Sequence, residues 1–158
     1  NNSTQQLTKN MTKEFVQRCV GAGKVWAYIP TKLIHEDGLI QNQSPDHYFS
    51  VSSIAGWFIE RDIAAVVSDR SGVDIEVTLP NGKTLGIEYQ TSLPGNNNTE
   101  SIMEKWKNGE NKYDRLLFVS DTVGVAEIKS ILQSDEIIIP RGTKLETKLN
   151  EILAENQN

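Results

Sequence analysis

The chain has 158 residues, a formal net charge of -5 and a single cysteine, Cys19. One domain of this length can bury roughly two thirds of its unfolded surface unaided, so no disulfide framework is needed, and Cys19 can close no intrachain bridge. No run approaches the ~20 continuous apolar residues of a membrane span, and no secretory leader is legible at the start, which predicts a cytoplasmic protein. The acidic balance argues against broad electrostatic coating of nucleic acid, although a local basic rim can coexist with it.

Along the chain, Thr12 to Val20 places Phe15, Val16, Cys19 and Val20 at helical spacing, with Gly21 and Gly23 behind them as a stop, and predicts a helix. Val25 to Ile29 reads as a strand. Pro30 to Asp46, rich in Gly38, Asn42, Ser44 and Pro45, reads as a connection that could hold a helical turn around Leu33. His47 to Val51 reads as a short strand. Ser52 or Ser53 then caps a helix reaching about Val67, with Ile54, Trp57, Phe58, Ile63 and Val67 apolar along it and Glu60 and Arg61 upon it.

Two β-rich runs follow, Val73 to Leu79 and Thr84 to Thr91, separated by Pro80-Asn81-Gly82, a strong hairpin signal. The loop Pro94 to Asn98 leads to Thr99, the expected N-cap of a helix with Ile102, Met103 and Trp106. Arg115 to Ser120 carries the near-continuous apolar run of a buried strand. A helix over Val125 to Leu132, a strand at Glu136 to Ile139 and an amphipathic helix over Leu145 to Leu153 complete the chain. This order predicts an α/β fold, a mixed central β-sheet with helices on both faces. Residues 1–46 form an N-terminal part of helix, strand and connection, and residues 47–158 the main α/β core.

The chemistry is concentrated in the hairpin. Side chains alternate along a strand, so Val73, Ile75 and Val77 share one face and leave Asp74 and Glu76 on the other. In the second strand Leu85, Ile87 and Tyr89 match the apolar face, and Glu88 and Gln90 point with the acids. A three-residue loop with Gly82 left-handed opposes Leu79 to Lys83 and, counted back, Asp74 to Glu88. Opposed Cβ atoms lie about 5 Å apart. Two ionised carboxylates on a covered face then require a proton or a cation between them, and Mg²⁺ or Mn²⁺ is the simplest occupant. On an uncovered face the same acids are ordinary solvated surface.

These residues resemble the PD-(D/E)xK nuclease superfamily, whose core is a helix, a hairpin-containing mixed sheet, a helix and a further strand. Asp74 matches the first acid of the motif, Glu88 the second, and Gln90 stands where the family has lysine. Glu60 matches an additional acid on the preceding helix, and Val73 replaces the proline. The resemblance spans about Ser52 to Ser120. It implies a restriction-endonuclease-like core and a Mg²⁺- or Mn²⁺-dependent endodeoxyribonuclease. Asp74, Glu88 and the Tyr89 carbonyl would hold the metal, Gln90 would position the attacking water, and Lys105 or Lys107 would supply the missing charge.

Within that superfamily the run His47-Tyr48-Phe49-Ser50-Val51, the acid strand, Ile87-Glu88-Tyr89 and Lys112-Tyr113 look like replication-relaxation and plasmid-mobilisation proteins. That resemblance implies a DNA-processing role in a replication or mobile-element protein, with residues 1–46 as the remnant of a DNA-binding subdomain. The loss of the lysine keeps open a second expectation, the same fold without catalysis as a module for DNA binding or protein docking. A third is an α/β scaffold domain with no nucleic-acid role.

Other candidates have plain structural readings beside the functional ones. His47 can be a packing or capping residue, or a ligand or base; with His35 the only other histidine, a zinc set is not expected. Trp106 between Lys105 and Lys107 is either core or a base-stacking residue with basic neighbours on phosphates. The C-terminal helix is either a packing helix or a surface for a protein partner or homodimer.

Overall fold

The computed structural model describes residues 11–30, 44–68, 72–91, 99–134 and 137–157. Strands β1 (Met11–Gln17) and β2 (Lys24–Pro30) pair antiparallel as a separate two-stranded ribbon. Helix α1 (Pro45–Ile59) is followed by strands β3 (Ala64–Val67), β4 (Ile75–Thr78) and β5 (Thr84–Tyr89). Helix α2 (Thr99–Lys112), strand β6 (Arg115–Ser120), helix α3 (Thr122–Leu132), strand β7 (Ile138–Pro140) and helix α4 (Thr143–Glu155) complete the order. The main sheet runs β3-β4-β5-β6-β7, antiparallel across its first two pairings and parallel across its last two. The fold is therefore mixed α/β.

Helices cover both faces. On one face, Val51, Ile54 and Phe58 of α1 and Leu145, Leu149 and Ile152 of α4 pack on Ile75, Val77, Leu85, Ile87, Leu117 and Val119. On the other, Ile102 of α2 and Val125 and Ile128 of α3 pack on Leu116, Phe118 and Ile138. The apolar run of β6 is thus buried on alternate sides, and a parallel strand covered twice has no solvent face to mark with polar residues. Leu145, Leu149 and Ile152 are fully buried, so the apolar stripe of the C-terminal helix belongs to the core.

Three local expectations fail. Thr12 to Val20 is not a helix: Met11–Gln17 pairs residue for residue with Lys24–Pro30 as an antiparallel strand, which sets Lys13, Phe15 and Gln17 on one face at the period of a strand. His47 to Val51 is not a strand but the first turns of α1. Its cap is Ser44, not Ser52 or Ser53: the Ser44 hydroxyl accepts from the His47 backbone N–H at 3.1 Å, Pro45 follows, and Asp46 sits in the first turn. That helix ends at Ile59 rather than near Val67, and Asp62 at φ 59° turns the chain into β3, a strand where the helix is expected to continue.

The hairpin forms as expected, with Gly82 at φ 84° and Val77 against Leu85. Val73, however, packs with Ile102 and Phe118 on the α2/α3 side, away from Ile75 and Val77. Leu33, Glu136 and the loop Pro94 to Asn98 lie outside the described residues. Among the described residues no helix is long and apolar enough to cross a membrane.

Candidate active site

Carried one residue past the end of the β4–β5 ladder, the register sets Asp74 against Glu88, as the hairpin count predicts. Asp74 is held from two sides. The Tyr89 backbone N–H donates to its Oδ2 at 2.8 Å, and His47 Nε2, from the first turn of α1, lies 3.2 Å from its Oδ1. Glu88 is 4% exposed, and Lys105 Nζ, reaching down from α2, donates to its Oε1 at 3.0 Å. The four side chains therefore come from four different elements around the end of β5.

Burial pushes the Glu88 carboxyl up to about 7, and the adjacent Asp74 carboxylate adds to the rise against the opposing pull of Lys105. Burial would lower His47, but the Asp74 carboxylate and the charge of Glu88 outweigh it and raise the imidazole above its ordinary value. Burial beside a second acid favours the uncharged form of Glu88, and the same space suits a cation. Among the described residues no three His, Cys, Asp or Glu side chains converge as a ready ligand set. A metal here would thus rest on two carboxylates and complete its shell with backbone oxygen and water, the habit of Mg²⁺.

The other expected site residues fall as follows. Gln90 follows β5, with its N–H bonded to the Val119 carbonyl at 2.9 Å and its own carbonyl accepting from the buried Ser120 hydroxyl. Glu60 does not join the acids. It is the exposed C-cap of α1, thirteen residues beyond His47, or about 20 Å along a helix axis. Consecutive helical residues point about 100° apart, and the Lys105-Trp106-Lys107 trio shows it. Lys105 faces Glu88, Lys107 is exposed, and Trp106 packs half-buried against the cluster containing Ile102 and Leu116.

A second polar network, unforeseen from the sequence, adjoins the acids. Arg141, after β7, donates from Nη1 to Asp46 Oδ1 at 2.7 Å and to the Tyr89 hydroxyl at 3.1 Å, and from Nη2 to the Gln17 carbonyl at 2.9 Å. The Tyr89 hydroxyl in turn donates to Asp46 Oδ2 at 2.9 Å. Cys19 is buried beside this network, and desolvation pushes its thiol up to about 11, which leaves it unreactive. Arg141 thus ties together the end of β1, the start of α1 and the end of β5. Arg141→Met should cost about 2 kcal/mol, the half-exposed Asp46 limiting the loss, and urea unfolding would read it as a lower midpoint at unchanged slope.

No family model, curated protein or solved structure matches the chain.

Proposed function

We propose that this protein is a metal-dependent nuclease that hydrolyses DNA phosphodiesters at the Asp74/Glu88 pair, with Lys105 in the role of the lysine missing at Gln90. The observation that carries the proposal is the buried Glu88 set against Asp74, with the Lys105 ammonium 3.0 Å away. An arrangement this costly in an otherwise apolar sheet is characteristic of functional sites. Further support comes from the order α1, three antiparallel strands, α2 and the parallel strand β6, which agrees with the core expected of the PD-(D/E)xK superfamily.

When bound, Mg²⁺ or Mn²⁺ would supply Lewis-acid polarisation of the phosphodiester and acidify a water for attack. Asp74 and Glu88, both ionised, would hold the cation. His47 and the Tyr89 N–H fix the orientation of Asp74, which keeps the site in place before substrate arrives. Lys105 offsets the charge of Glu88, and its ammonium would be available to the phosphate, where charge grows as the bond breaks. Gln90 is placed by its backbone bonds at the same strand end, where its amide can orient water.

Cleavage of labelled single-stranded and duplex DNA with Mg²⁺, Mn²⁺ or EDTA tests this. Metal-dependent cutting is expected, falling by at least about 100-fold in Glu88→Ala and by roughly 10–100-fold in Lys105→Met. Absence of cutting with every metal and both substrates would overturn it. One observation favours a second reading, a binding module without catalysis: both acids already have protein partners in His47, Lys105 and the Tyr89 N–H. A melting temperature that Mn²⁺ leaves unchanged would favour that reading, because a ligand that binds only the folded state must raise it.

A further inference from the structure

The β1–β2 ribbon has one face in the protein and one in solvent. Ala27 and Ile29 of β2 are buried, as is Cys19 just beyond β1, whereas Phe15, Trp26 and Tyr28 are 53%, 50% and 54% exposed. Register explains how three large rings share the outer face: Phe15 pairs directly with Trp26 and Lys13 with Tyr28. The Phe15 and Trp26 rings touch at 4.9 Å between centroids. Lys13 Nζ stands 4.4 Å above the Trp26 ring and 5.9 Å from Tyr28, and Lys24 Nζ is 5.9 Å from Phe15.

Aromatic side chains normally hide their area, and three on one face of a two-stranded ribbon, interleaved with ammonium groups, form a surface with a definite chemical complement. Ring faces accept the π-faces of unpaired bases, and lysines between them accept the phosphates that link those bases. A duplex offers no free base faces. An acidic peptide would answer the lysines but leave the rings without stacking partners. The ribbon is also anchored to the acid site, because Arg141 holds the Gln17 carbonyl at the end of β1 together with Asp46, the neighbour of His47.

We infer that the outer face of the β1–β2 ribbon, Phe15, Trp26 and Tyr28 with Lys13 and Lys24, binds single-stranded DNA by stacking bases on its rings. In naming DNA rather than RNA the inference rests on the function proposed above. The stacking itself stands on the ribbon alone.

The test is fluorescence anisotropy of the full chain with a labelled oligothymidylate of about 20 nucleotides in EDTA, so that no cutting intervenes. Duplex DNA and oligouridylate of the same length serve as competitors. Tight binding of the oligothymidylate, weakened at least about fivefold by each of Phe15→Ala and Trp26→Ala, retained in Trp26→Phe and unchanged in Glu127→Ala on the exposed side of α3, is the expected result. The intrinsic tryptophan emission should fall on binding in the natural protein and not in Trp26→Phe, a readout that survives even if an alanine variant folds poorly. Equal affinity of the Ala variants, equal binding of duplex, tighter binding of oligouridylate, or unchanged tryptophan emission would each overturn the inference. So would a dimer of the natural chain that Trp26→Ala dissociates and that ignores DNA, since the face would then take a second copy. Failure of the cleavage assay with this binding intact would remove the nuclease reading alone.

Discussion

At pH 8 in EDTA, Glu88→Gln is expected to melt several degrees above the natural protein while losing metal-dependent cleavage. The Glu88 carboxyl, 4% exposed and raised to about 7 by burial and by Asp74, binds its proton more tightly in the folded chain than in the unfolded one. Below its ordinary value near 4.5 both states are protonated and the site costs nothing in charge. As pH rises towards 7 the unfolded chain ionises first, and folding stability falls at up to ~1.4 kcal/mol per pH unit. Above 7 the full cost, a few kcal/mol, is in place. Glutamine keeps the volume and never ionises. At about 2–4 °C per kcal/mol for a chain of this size, its advantage should be about 5–10 °C at pH 8 and vanish near pH 4. His47, also raised, loses stability in the same direction as pH climbs, so the difference between the two proteins is the quantity to read. Mn²⁺ should raise the melting temperature of the natural protein and leave the variant unmoved. A variant that melts lower at pH 8 would mean that the acids carry no strain.

Gly86→Ala should destabilise the fold by about 1–3 kcal/mol, and Gly86→Val by more. Gly86 lies in the middle of β5, and a Cβ there would stand 2.5 Å from the Tyr113 ring. The ring has little room to move. Tyr113 is buried, and its hydroxyl donates to Glu76, which Lys112 also approaches at 3.4 Å. Shrinking the ring should restore what the methyl takes, so Gly86→Ala/Tyr113→Leu is expected to melt above the sum of the two single losses. Strict additivity in the double-mutant cycle would show that the two residues do not compete for space. Because β5 also carries Glu88, the close approach fixes how deeply α2 settles on the sheet, and so the reach of Lys105.

Much of the fold is legible in the sequence because local chemistry and tertiary role agree. Pro80-Asn81-Gly82 dictates a tight turn, and the turn dictates the register that brings Asp74 to Glu88. The unbroken apolar run of Arg115 to Ser120 marks a strand covered on both sides, and β6 falls there. Misreading begins where a segment's solvent face is apolar. Phe15, Trp26 and Tyr28 invert the usual rule, so the alternation of β1 is masked and its apolar residues fall by chance at helical spacing. At the start of α1 a β-rich run outweighed the local signal, yet Ser44-Pro45-Asp46 is a helix entry on its own terms.

The site divides along the same line. Asp74 and Glu88 are readable because they lie on one hairpin, whose geometry is local. Lys105 can be named only as a candidate, since α2 must dock before its reach is known. His47 is seen, but its partner lies 27 residues onward across the strand that was missed. Asp46 and Arg141 are 95 residues apart, and no spacing rule joins them.

The ribbon closes the molecule in time as well as in space. Val20 forms a parallel bridge with Gly142, and Gly142 N–H donates to the Cys19 carbonyl at 2.6 Å, so the β1–β2 ribbon is docked by a corner just ahead of α4. During synthesis the residues that seat those strands follow them about 120 positions later, on the order of ten seconds at the usual elongation rate. The docking contact is thus of high sequence separation, the kind that forms late in folding, so the seating of β1 against Arg141 reports that the segment through β7 has been made and folded.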